Sequence, residues 1–178
     1  MSNNQLSGFY QTTDDIFSAD INGKKRLIIG VSFALLDLAE TNSIDLSNSI
    51  IMETGGMKGR RKEITRTELH EILTKAFNVP VIHSEYGMTE LLSQAYSKGG
   101  GIFYPPPWMK IILRDLHDPF CLFTDTQQTG GINIIDIANI NSCSFIATGD
   151  VGRLLPCGGF EVLGRFDNSD IRGCNLLI

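Results

Sequence analysis

The sequence predicts an α/β protein: a parallel-sheet first half followed by a smaller antiparallel, barrel-like β subdomain. Three observations predict it. Between Arg26 and Ile82, short apolar runs alternate with stretches patterned as helices. The triplets Gly99-Gly100-Gly101 and Pro105-Pro106-Pro107 then break the chain. From Trp108 onward the pattern is that of strands alone. These shifts set three parts: a loose arm over residues 1–22, an α/β part over 23–104, and a β-rich part over 105–178.

Arg26-Leu27-Ile28-Ile29-Gly30-Val31 reads as a buried strand, and Ser32 as the cap of a helix through Glu40. Thr41 to Asn48 is a polar connection, and Ser49 to Met52 a second buried strand. The stretch Thr54 to Lys62 holds three glycines and four basic residues, as an anion-accommodating loop would, but lacks P-loop spacing. Arg61 and Lys62 also fit plain surface charges. Thr65-Arg66-Thr67-Glu68 is a capping box. The helix it opens buries Leu69, Ile72, Leu73, Ala76 and Phe77 and leaves His70 at the surface. Val79 to Ile82 reads as a strand and Leu91 to Tyr96 as a short helix capped by Thr89. Met109, Ile111 and Leu113 alternate as in a half-buried strand, and Ile132–Ala138 and Ser144–Thr148 give two more. A hairpin over Leu154–Gly164 turns at Gly158-Gly159. Asp115, His117 and Asp118 beside Pro119 form a polar turn.

Composition narrows the function classes. The chain has 178 residues, 42% apolar and 20% charged, as expected of a globular domain with a substantial core. A net charge of −5 disfavours a nucleic-acid partner. No apolar run approaches a membrane span, and the polar start lacks the features of a signal peptide. Cys121, Cys143, Cys157 and Cys174 are irregularly spaced, without a zinc pattern. A reducing cytoplasmic setting follows as an expectation.

The stretch that organises the chain is His83-Ser84-Glu85-Tyr86-Gly87-Met88-Thr89-Glu90. Tyr86 offers a flat ring, Thr89 a hydroxyl and Glu90 a hard oxygen ligand, around a turn at Gly87. That set suits a nucleotide with Mg²⁺, and a strand–turn–helix corner favours negative charge. Spacing alone fits a plain corner better.

Tyr86-Gly87-Met88-Thr89-Glu90 resembles the YGxTE motif of the adenylate-forming enzymes, the superfamily of acyl-CoA synthetases and peptide-synthetase adenylation domains. Thr148-Gly149-Asp150 is similar to that superfamily's TGD motif, and Gly164-Arg165-Phe166-Asp167 to its GRxD hinge, in the family's order. The longer strings Glu53–Arg60, Ser84–Leu91 and Asp170-Ile171-Arg172-Gly173-Cys174 resemble the acyl-protein synthetase (LuxE-like) branch, which activates fatty acids in bacterial fatty-acid reductase complexes. The resemblance runs from about Lys24 to the last residue and covers about the C-terminal half of such an enzyme.

The resemblance implies ATP-dependent formation of an acyl-adenylate and transfer of the acyl group to a protein cysteine. It implies that Gly55 and Gly56 lie against adenine and that Tyr86 stacks on it, with Gly87 turning the chain beside them. Thr89 would donate to the α-phosphate, and Glu90 would hold Mg²⁺. Asp150 would accept from both ribose hydroxyls, with Arg165 near the ribose or phosphate and Asp167 at the hinge. Cys174 would be the acyl acceptor, its pKa lowered by Arg172. A cysteine packed under Leu176-Leu177-Ile178 is the alternative. The implied ligands are ATP or AMP, Mg²⁺ and a fatty acid or other carboxylate.

The family's phosphate-gripping Ser/Thr/Gly/Lys-rich loop has no counterpart before Lys24. The implied partners are therefore a missing N-terminal half or a reductase-type protein. The face such a half would leave open should be apolar and favour self-association. Two alternatives stand beside this reading: part of a CoA-using, phenylacetate-CoA ligase-like enzyme, and a non-catalytic module that keeps the fold.

Overall fold

The computed structural model describes residues 25–41, 45–57, 61–62, 64–123, 125–126 and 128–166. Strand β1 (Arg26–Val31) leads directly into helix α1 (Ser32–Thr41), and β2 (Ser49–Thr54) precedes helix α2 (Arg66–Phe77). Then come β3 (Ile82–Tyr86), β4 (Ala95–Ser97), β5 (Ile102–Tyr104), β6 (Met109–Arg114), β7 (Leu122–Phe123) and β8 (Thr129–Asp136). A single 3-10 turn (Ile137–Asn139) separates β8 from β9 (Phe145–Leu154), which hairpins into β10 (Phe160–Arg165).

The strands form one continuous ten-stranded sheet in the order β1-β2-β3-β4-β5-β10-β9-β8-β6-β7. The pairs β1–β2 and β2–β3 are parallel, because α1 and α2 supply the crossovers that parallel neighbours need. Every later pair is antiparallel. The pairing sense changes at β3–β4, ahead of the glycine and proline triplets that mark the change of texture in the sequence, and β5 is bonded to β10, which lies beyond them.

Two cores follow from the two textures. The first packs Leu35 and Leu36 of α1 and Leu69, Leu73 and Phe77 of α2 onto Ile51 and Ile82. The second gathers Phe103, Met109, Ile111, Leu113, Ile132, Ile134 and Phe160, and it takes in Tyr86, Leu91 and Ala95. The capping box forms as expected: the Thr65 hydroxyl accepts from the Glu68 N–H, and the Glu68 carboxylate accepts from the Thr65 N–H. Asn78 closes α2 in the left-handed region, at φ 53°.

Several expectations are corrected. β1 is an edge strand rather than a buried one: Leu27 and Ile29 are 57% and 54% exposed, because both helices pack on the other face. With Ile50, Tyr96 and Tyr104 also exposed, apolar side chains stand open on β1, β2, β4 and β5. Ile72 of α2 is likewise exposed. β2 runs past Met52 to Thr54, β3 starts at Ile82 and ends at Tyr86, and β9 runs through Thr148-Gly149-Asp150 to Leu154. No helix covers Leu91–Tyr96: the chain there is irregular, then enters β4, where Ala95 and Tyr96 pair with Tyr86 and Glu85. Thr89 therefore caps no helix, and the anion-favouring helix start expected there is absent.

Candidate functional site

The C-terminal ends of parallel strands β2 and β3 lie side by side, with Thr54 opposite Glu85. The Gly55–Gly56 and Tyr86–Gly87 stretches therefore leave the sheet at the same edge, the customary place for a ligand in an open α/β sheet. Gly55 sits at φ 70°, in the left-handed region that favours glycine. The Ser32 hydroxyl is 3.2 Å from both the Gly55 carbonyl and Glu53 Oε2, and so ties this turn to the buried Glu53.

Alternation along β3 turns Ile82, Ser84 and Tyr86 inward. Tyr86 is consequently only 2% exposed, with its ring edge-on to Phe160 at 5.4 Å and tilted against Phe103 at 5.9 Å. The ring expected to stack on a base instead packs against protein. Its hydroxyl donates to Asp150 Oδ2 at 2.8 Å.

Asp150 is aimed by two register shifts. Between the pairs Gly131–Val151 and Asn133–Ala147, the three residues Thr148-Gly149-Asp150 face Ile132 alone, so the TGD segment is itself a bulge. The Thr148 hydroxyl donates to the Ile132 carbonyl and accepts from the Asp150 N–H. Arg114 fastens the same place, donating to the carbonyls of Ile132 and Thr148 and to Asn133 Oδ1. On the other side of β9, one extra residue of β10, Leu163, shifts the register so that Arg165 stands opposite Asp150. Arg165 Nε lies 3.6 Å from Asp150 Oδ1. A Cβ on Gly149 would come within 2.9 Å of the Arg165 guanidinium, so glycine is what lets that side chain lie across the strand.

The three sequence motifs thus meet on one carboxylate: Tyr86 from the first, Asp150 from the second, Arg165 from the third. Asp150 is 4% exposed. Burial pushes its carboxyl above the usual aspartate range, and the Tyr86 hydroxyl and Arg165 offset only part of that. It is a carboxylate with fewer donors than its burial calls for.

Thr89 and Glu90 lie on an exposed turn just beyond Tyr86, closed by the Leu91 N–H donating to the Met88 carbonyl at 3.1 Å. Among the described residues, no cluster of three or more His, Cys, Asp or Glu side chains is placed to hold a metal. A lone exposed Glu90 suits Mg²⁺, which keeps waters and phosphate oxygens as its other ligands, better than an ion caged by protein. The basic loop is partly committed elsewhere: Arg61 pairs with Asp37 and Glu40 of α1. Cys174, Arg172 and Asp167 lie outside the described residues.

Sequence reading missed four supporting residues. Glu53 is buried beside Arg66 Nε at 3.3 Å and His70 Nε2 at 3.6 Å, with Ser84 Oγ 3.3 Å from His70 Nε2. Burial pushes the Glu53 carboxyl up, but His70, Arg66 and Ser84 outweigh it and hold the group below the usual carboxylate range. His70 is accordingly not a surface residue; it faces this carboxylate from α2. Continuing the β2 alternation beyond Ile51 would have pointed Glu53 inward. Arg114, Asp136 and Asn139 are the others, and the lone acid in Ile134-Ile135-Asp136-Ile137 was their one visible signal.

No protein-family model and no curated protein matches the chain. Solved structures do share its fold. Coronafacic acid ligase from Pectobacterium brasiliense aligns at a TM-score of 0.57 and 21% identity, over 78% of this chain and 29% of that one. ATP-bound MatB from Rhodopseudomonas palustris gives 0.60 and 14%, over 79% and 31%. O-succinylbenzoate coenzyme A synthetase (MenE) from Bacillus subtilis, in complex with ATP and magnesium ion, gives 0.59 and 21%, over 86% and 34%. The chain therefore shares its fold with part of these proteins and spans about a third of their length. Among the described residues, no helix is long and apolar enough to cross a membrane.

Proposed function

We propose that this chain carries the nucleotide-binding part of an AMP-forming acyl ligase that activates a carboxylate, on the acyl-protein synthetase pattern a fatty acid, as its acyl-adenylate. The observation that carries the reading is the convergence of Tyr86 and Arg165 on the buried Asp150. A ribose diol would supply two donors to a carboxylate that is short of them, and adenine would lie along Gly55 and Gly56.

In the first half-reaction a substrate carboxylate oxygen attacks the α-phosphorus of ATP, and the bond to the β-phosphate oxygen breaks, releasing pyrophosphate. Both reactants are anions, so positioning and charge neutralisation supply most of the rate. Thr89 donates to the α-phosphate. Glu90 provides the protein oxygen for Mg²⁺, which when bound neutralises phosphate charge. In the second half-reaction a thiolate attacks the acyl carbonyl and AMP leaves. We assign the thiolate to Cys174, with a further phosphate-gripping portion or a reductase-type partner completing the site.

The fold likeness to a coenzyme A synthetase favours one second reading, with CoA as the thiol. The test is incubation of the chain, supplemented with its completing portion, with ATP and a radiolabelled fatty acid. The proposal expects hydroxylamine-labile label on the protein, lost in Cys174→Ser. Label that forms only on added CoA, or that survives in the variant, removes the acceptor assignment.

A further inference from the structure

We propose that Asp136 and Asn139, at the end of β8, are positioning residues that set the Thr89–Glu90 turn for phosphate and metal. The proposal rests on the reading above, in which Thr89 and Glu90 face those groups. From Glu90 to Ser93 the chain lies outside the strands, and Asp136 and Asn139 take up three of its backbone groups.

Asp136 is fully buried. Its Oδ2 accepts from the N–H groups of Leu92 at 3.1 Å and Ser93 at 2.9 Å. Its Oδ1 accepts from the Ser93 hydroxyl at 2.7 Å and the Ala138 N–H at 3.2 Å. Asn139 Nδ2 donates to the Glu90 carbonyl at 2.7 Å and to the Cys143 carbonyl at 2.8 Å. The side chain of Leu91 is buried in the second core. Four consecutive residues, Glu90 to Ser93, are thereby pinned through backbone or core contacts, while the side chains of Thr89 and Glu90 are left exposed.

That is how a preorganised site is built: a fixed main chain presents free functional groups, so a ligand pays little to order them. Asp136 ends β8 and Asn139 ends the 3-10 turn that follows it, and β8 is not a sheet neighbour of β3 or β4. The pins therefore tie the motif turn to the β-rich part of the sheet. The anchor also reaches Trp108, whose Nε1–H donates to the Ser93 hydroxyl at 2.9 Å. Trp108 is the sole tryptophan, so its emission reports on this node.

Asparagine at 136 would be a poor substitute, because both carboxylate oxygens accept and an amide nitrogen would face donors. The experiment compares wild type with Asp136→Asn and Asn139→Ala, the second serving if the first does not fold. Three quantities are read: amide exchange at Leu92 and Ser93, affinity for Mg²⁺–ATP, and affinity for adenosine, which lacks phosphate. Exchange is expected to rise about tenfold or more in Asp136→Asn, with a shift of Trp108 emission. In both variants Mg²⁺–ATP affinity should fall about tenfold while adenosine affinity stays within about twofold. A merely structural role would move neither ligand, or both alike, and either outcome overturns the proposal. So does unchanged exchange in Asp136→Asn. If wild type binds neither ligand, the nucleotide reading itself falls and takes the positioning role with it. A wild type that binds, with variants that bind equally well, sinks the positioning role alone.

Discussion

Asp150→Ala is expected to lower the affinity of the chain for AMP by about a hundredfold or more. Two hydroxyl donors to an ionised acceptor contribute about 1.5–3 kcal/mol each, and both are lost together. Asp150→Asn keeps one acceptor oxygen and should fall between wild type and alanine. Stability moves differently. Because burial raises the Asp150 pKa, the native chain holds that proton more tightly than the unfolded chain does. Stability contributed by this group is therefore lost as pH rises from the ordinary aspartate value, 3.8, through the raised native value, and it levels off above. Asp150→Asn should remove that slope and keep the fold at neutral pH while binding weakens. Such a separation marks a group kept for a ligand rather than for the fold. Calorimetric titration paired with thermal melts at acid and neutral pH reads both; an asparagine variant that binds AMP like wild type contradicts the assignment.

Phe103→Ala is expected to cost about 3–5 kcal/mol, the range for emptying a fully buried phenylalanine site. Phe103 lies on β5, where the first half of the sheet hands over to β10, and it is completely buried. Its ring packs against Tyr86 and, at 5.7 Å, against Phe160, while the Arg66 guanidinium lies 5.1 Å from its centroid. Removing it leaves a cavity beneath Tyr86 and a cation without its ring. A melting temperature lower by about 10 °C follows for a chain of this size. AMP affinity should fall with it, because Tyr86 would no longer be held against Asp150. A melting temperature unchanged within a few degrees would show that the two cores do not depend on this ring.

Local rules made much of the fold legible. The Thr65–Glu68 capping box, the alternation of Met109, Ile111 and Leu113, and the hairpin at Gly158-Gly159 all rest on interactions within a few residues of chain. Two of the failures share one cause, which is long-range satisfaction of polar groups. Leu91–Tyr96 carries a helix-compatible pattern. The N–H groups of Leu92 and Ser93 go instead to Asp136, and the end of the stretch pairs with β3, partners remote from residue 91 in the sequence. His70 falls off the apolar stripe of α2, as the periodicity says, yet it faces a buried acid rather than water. Tyr86, Asp150 and Arg165 were legible through a resemblance that marked them as a site. That Tyr86 would touch the carboxylate through its hydroxyl, with its ring buried, was not. That outcome depends on β3 running through Tyr86 and on two bulges in β9 and β10, and bulges leave little trace in a sequence.

On the proposed function, Asp150 accepts from both ribose hydroxyls of the nucleotide. Carbon-13 NMR of the Asp150 side-chain carboxyl, titrated with pH in the absence and presence of saturating AMP, tests it most directly. The expected result is a pKa above the usual aspartate range in the free chain and a lower one with AMP, because the ribose hydroxyls stabilise the charged form. AMP affinity should correspondingly rise with pH through that interval and level off above it. An Asp150 pKa that AMP leaves unmoved, or that rises on binding, would exclude Asp150 as the ribose acceptor.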